Sequence, residues 1–82
     1  MSETTKIGVT IDGDLEDYEA FGVIDNFSEH FTNPVHDFPV RNTVTGEWEV
    51  DLTVSESYEE ASIDVGIAAF GYHSITDTLV YA

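Results

Sequence analysis

The sequence predicts an α+β fold, a small antiparallel sheet carrying two helices. Three observations lead there: β-branched residues alternate with polar ones near the N-terminus, apolar residues then recur at intervals of three and four, and a second alternating stretch is followed closely by a serine with glutamate three residues on. The 82 residues are expected to form one domain over residues 6–82, because a chain of this size buries only about 60–65% of its unfolded surface and cannot divide a core in two. A hydrophobic content of 41%, with five Phe, four Tyr and one Trp, is enough to supply that core.

Met1 to Thr5 is polar and reads as a short flexible lead. Lys6 to Ile11 alternates, with Ile7, Val9 and Ile11 on one side, and is the first strand. Asp12-Gly13-Asp14 turns the chain and offers a helix cap, with Glu16 and Asp17 in the first turn, where they favour the positive end of the helix dipole. From Asp14 to about Phe31 the residues Ala20, Val23, Ile24, Phe27 and Phe31 form one helical stripe, while Asp14, Glu19, Asp25 and Glu29 point away from it. Thr32-Asn33-Pro34 ends this helix.

His36, Phe38 and Val40 alternate, Asn42 to Gly46 holds turn formers, and Trp48, Val50, Leu52 and Val54 alternate again, which predicts a hairpin. Pro34 and Pro39 place its first arm at an edge or make it irregular. The second arm, Glu47 to Ser55, sets Glu47, Glu49 and Asp51 on one side, each about 6.7 Å from the next. Ser57-Tyr58-Glu59-Glu60 is a capping box. It opens a second helix in which Tyr58, Ala61, Val65, Ala68, Ala69, Tyr72 and Ile75 share a face. The competing reading is a strand, since Ile63, Val65 and Ile67 also alternate; a β-rich sheet packed by one helix is then the alternative fold. Thr78 to Ala82 is the last strand. Strand, helix, strand, strand, helix, strand on one antiparallel sheet is the ferredoxin-like split βαβ order.

Seventeen Asp and Glu stand against Lys6 and Arg41, a net charge of −15. Such a surface repels phosphates and anionic lipid, so neither nucleic acid nor a membrane is an expected direct partner, and a basic protein is. The absence of Cys removes disulfides and thiolate metal sites and makes the cytoplasm the default compartment. No nucleophile stands beside a base, and abundant carboxylates are more simply solvated groups than a catalytic dyad, so no enzymatic activity is expected. His30, His36 and Asp37 are the candidates for a divalent cation, yet their spacing matches no recognised pattern, and a histidine near Phe and Pro is more often a packed side chain. Asp12-Gly13-Asp14 lacks the ligand series of an EF-hand. No metal or cofactor is therefore expected.

The acids fall into two groups that would meet a partner: Glu47, Glu49 and Asp51 followed by Glu56, Glu59 and Glu60, and Asp12, Asp14, Glu16, Asp17 and Glu19. In size and charge the chain resembles phage-encoded DNA-mimic inhibitors, among them anti-restriction proteins, uracil-DNA glycosylase inhibitors and anti-CRISPR proteins. That resemblance spans the whole chain and is one of composition rather than motif. It implies inhibition by occluding the basic groove of a DNA-binding protein. The alternative is a structural, virion or interaction protein whose acidity is adaptation to molar salt; the scarcity of Arg and Leu, with three Leu against six Ile, leans away from it. Finally, Ile63, Ile67 and Phe70 form a second apolar stripe on the helix, opposite the sheet. It reads either as a dimer or partner interface or, if the segment is a strand or lies under the N-terminal lead, as an internal surface.

Overall fold

The computed structural model describes residues 3–81. The elements are β1 (Thr5–Ile11), α1 (Asp17–Ser28), β2 (Val35–His36), β3 (Val40–Arg41), β4 (Trp48–Val54), α2 (Tyr58–Ala68) and β5 (Ile75–Val80), with a single 3₁₀ turn, Ala69–Gly71, extending α2. The strands form one antiparallel sheet in the order β2-β4-β1-β5, and β3 pairs with β4 further along the edge that β2 occupies. The fold is thus α+β: an open antiparallel sheet with two helices.

Strict alternation decides the layers. In β4 the residues Trp48, Val50, Leu52 and Val54 are buried while Glu49, Asp51 and Thr53 are exposed, and in β1 the buried residues are Thr5, Ile7, Val9 and Ile11. These inward rows meet Ala20, Ile24 and Phe27 of α1 and Ala61, Val65 and Ala68 of α2 in one core. Both helices therefore cover the same face of the sheet, and the other face stands open.

Several boundaries differ from expectation. Thr5, assigned to the lead, opens β1, and its hydroxyl donates to the Glu56 carbonyl at 2.7 Å; Met1, Ser2 and Ala82 lie outside the described residues. Helix α1 begins at Asp17 rather than Asp14, because the Asp12 carboxylate accepts from the Asp14 N–H at 3.0 Å and holds a turn there, leaving Glu16 as the extended cap residue. The helix stops at Ser28, and the backbone N–H groups of Glu29, His30 and Phe31 donate three residues back in a tightened last turn. The first hairpin arm is interrupted: Pro39 has no N–H for a ladder bond, and Phe38 leaves the sheet to stack on Phe21 of α1 with ring centroids 4.8 Å apart.

The competing strand reading of the second half is overturned, since 58–68 is helical. Ser57 Oγ accepts from the Glu60 N–H at 3.2 Å and donates to the Glu60 carboxylate at 3.0 Å. Helix α2 is shorter than predicted, however. The chain leaves it through the 3₁₀ turn, so Ile75 starts β5; Tyr58, expected on the inner face, is 48% exposed.

Candidate acidic interface

The open face is built by the second row of each strand. Lys6, Gly8 and Thr10 of β1 lie between the row of Glu49 and Asp51 and the row of Asp77, Leu79 and Tyr81, for Thr10 pairs with Glu49 on one side and Asp77 on the other, and Gly8 with Asp51 and Leu79. Glu49 and Asp51 form a ridge with a shallow depression on each flank. One is lined by Thr10, Asp77, Leu79 and Tyr81, the other by Asp37, Phe38 and Val40. Gly8 is the floor of the first: a Cβ there would stand 3.3 Å from the Tyr81 hydroxyl oxygen, so the missing side chain lets the Tyr81 ring lie across β1.

Glu47, one residue before β4, accepts from the Thr76 hydroxyl at 2.8 Å and is joined at this end of the sheet by the second acidic group. The two loops that carry them touch. A Cβ on Gly13 would lie 2.0 Å from the Gly46 carbonyl oxygen, and Gly46 itself has a φ of +79°, open to glycine at little cost. Arg41 clamps the contact. Its Nη1 donates to the carbonyls of Gly13, at 3.1 Å, and Gly46, and its guanidinium lies 4.3 Å from the Trp48 ring centroid. Asp12, Asp14 and Glu47 consequently rim one depression, and Glu16, Asp17 and Glu19 follow, exposed, at the start of α1.

The remaining predicted acids are placed otherwise. Glu59 and Glu60 are exposed in the first turn of α2, beyond the far end of β4 and about 20 Å of strand from Glu47. Glu56 is not at the surface. Only 5% exposed, it accepts from the Thr32 N–H at 2.8 Å through Oε2, a fixed tie between the loop after α1 and the one before α2. Its Oε1 finds no donor among the described residues, and the adjacent Asp64 carboxyl can bond to it only when one of the two carries a proton. Burial pushes the Glu56 carboxyl above its ordinary range; Asp64 and Glu60 raise it further, and the Thr32 N–H pulls it back in part. Asp77 was missed: the last strand was expected to begin at Thr78, although Asp77, Leu79 and Tyr81 alternate.

Among the described residues neither Lys6 nor Arg41 has a carboxylate oxygen within 4.0 Å, and the contact between His36 and Asp25 at 3.4 Å is an ion pair only when the histidine is protonated. Among the described residues the acids of the open face thus form no ion pair with Lys6 or Arg41, although Lys6 lines a depression beside Asp37 and Asp51. His30 bonds the Tyr72 hydroxyl at 3.1 Å and His36 the Asp37 carbonyl at 2.9 Å, and no three His, Asp or Glu side chains among the described residues converge as a cation site. No helix among them is long and apolar enough to cross a membrane. Comparison of the chain with protein-family models, with curated proteins and with solved structures finds no match.

Proposed function

We propose that this protein is a DNA-mimicking inhibitor that acts in the cytoplasm, without catalysis, by occupying the basic nucleic-acid-binding groove of a host defence complex such as a CRISPR effector or a restriction enzyme. One observation carries the reading: Glu47, Glu49, Asp51 and Asp77 lie together on the open sheet face, with Asp12 and Asp14 on the adjoining rim, and among the described residues neither Lys6 nor Arg41 comes within 4.0 Å of a carboxylate oxygen. Groups of fixed negative charge on a stiff sheet present a basic groove with what a phosphate backbone presents, and complementary potentials speed encounter. The strand order favours a ferredoxin-like scaffold for this face. With β2 and β3 counted as one interrupted strand, the order becomes second, third, first, fourth, all neighbours antiparallel, with a helix after the first and third.

The test is competition against labelled duplex DNA bound to purified CRISPR effectors and restriction enzymes. Displacement is expected to weaken as KCl rises, and the combined variant E47K, E49K, D51K to lose about 100-fold or more in potency with an unchanged circular dichroism spectrum. Equal potency of that variant would remove the open face from the mechanism.

A second reading, salt adaptation, is favoured by one observation: exposed acids are not confined to this face, since Asp14, Glu19, Asp25 and Glu29 follow the outer side of α1 and its leading turn. Cooperative melting at about 0.1 M KCl, where charges are screened over about 10 Å, counts against it, and folding only above about 1 M supports it.

A further inference from the structure

We propose that a second copy of this chain covers the outer face of α2, in an antiparallel α2–α2 dimer whose twofold axis passes between Gly66 and Ile67. Ile63, Ile67 and Phe70 stand 62%, 69% and 89% exposed along this face, on the side of α2 away from Ala61, Val65 and Ala68 and hence away from the open sheet face. The spacing is self-complementary. About an axis between residues 66 and 67, Ile63 of each copy faces Phe70 of the other, and each Ile67 faces the other's Gly66, a bulky side chain opposite a bare backbone.

Gly66 supplies an independent argument. Glycine inside a helix is costly relative to alanine, and among the described residues no contact accounts for it: an added Cβ would have no heavy atom within 4 Å. A helix seated closely against Gly66 does account for it. Charge sets where two copies can meet and in which direction. The chain carries seventeen acids, yet residues 65–76 contain none, the longest such interval in the sequence. Two copies of so acidic a protein repel least there. In the antiparallel arrangement, Glu59 and Glu60 of each copy approach the carboxylate-free end of the other and the helix dipoles oppose, whereas a parallel pairing would set Glu59 and Glu60 against their own images.

Sedimentation equilibrium up to about 1 mM chain, at about 0.1 M and about 1 M KCl, tests the proposal, since screening shortens from about 10 Å to about 3 Å and relieves the residual repulsion. Reversible dimers that tighten with salt are expected. I67E with F70E is expected to weaken them about 100-fold or more, and G66A about tenfold. G66A separates interface from fold, because in the single chain it meets no obstacle and favours the helix, so its dilute-solution melting temperature is expected to stay or rise. A chain that remains single at about 1 mM in about 1 M KCl, or a dimer indifferent to I67E with F70E or to G66A, overturns the proposal.

Discussion

The open face of the sheet and the outer face of α2 lie on opposite sides of one two-layer molecule, and they differ in almost every physical respect. The first is a flat surface whose side chains are fixed by strand register, with Glu49 and Asp77 flanking Thr10. The second is a single helical ridge of Ile63, Ile67 and Phe70, of which Ile67 and Phe70 lie in the interval 65–76 that carries no carboxylate. Salt should act on them with opposite sign: it screens attraction between the acidic face and a basic partner, and it screens repulsion between two copies meeting through α2. If both proposed associations occur, ionic strength alone should shift the balance between them.

The most disruptive test of that comparison removes the shared core. Phe27 is fully buried between α1 and the sheet, so Phe27→Ala should cost about 3–5 kcal/mol and abolish both modes together, seen as a large fall in the denaturation midpoint. Gly13→Ala should separate the faces. Its Cβ would meet the Gly46 carbonyl at 2.0 Å, and relieving that clash should cost about 1–3 kcal/mol while pushing Asp12 and Asp14 away from Glu47; competition with DNA should weaken and self-association through α2 should persist.

A pH series sharpens the comparison from inside. The raised Glu56 carboxyl means that, between its unfolded and folded titrations, the native state holds the extra proton; this contribution to stability is present at low pH and is lost as pH rises through the folded value. Glu56→Gln keeps an acceptor for the Thr32 N–H and gains a donor toward Asp64. The stability of this variant relative to the parent should thus increase as pH rises from 4 to 8, with neither face's binding altered, as followed by melts at each pH. The smallest effect is expected from Thr76→Val. It removes the hydroxyl that holds the Glu47 carboxylate at 2.8 Å, and should change stability by less than about 1 kcal/mol while lowering competition with DNA a few-fold.

Much of the architecture was legible because it follows from local period. The alternation in Trp48, Val50, Leu52 and Val54 placed Glu49 and Asp51 on the solvent side, and the Ser57 capping box located the start of α2. The outward stripe of Ile63, Ile67 and Phe70 was legible for the same reason, once the segment was taken as a helix. Element ends were harder. The turn at Asp12 to Asp14 is settled by a side-chain bond to the backbone, and the break at Asp37 to Pro39 by a ring stacking on a different element. Glu56 was misplaced because its position beside Glu59 and Glu60 in sequence resembles a solvated run, while its real surroundings come from Thr32 and Asp64.

By itself, then, the sequence determined the charge and the inward and outward rows of β1 and β4, since those rows depend on residues two positions apart; that the stripes of 58–68 lie on a helix rather than a strand was decided by the structure. Only the tertiary structure decided that Asp77 joins Glu49 across Thr10, that Gly13 and Gly46 bring the two acidic groups to one rim, and that Glu56 is enclosed. The first two depend on which strands pair and how closely two loops approach, contacts across some 30 or more positions of the chain, and the third on the Thr32 N–H, 24 positions from Glu56; no strand or helix period encodes them.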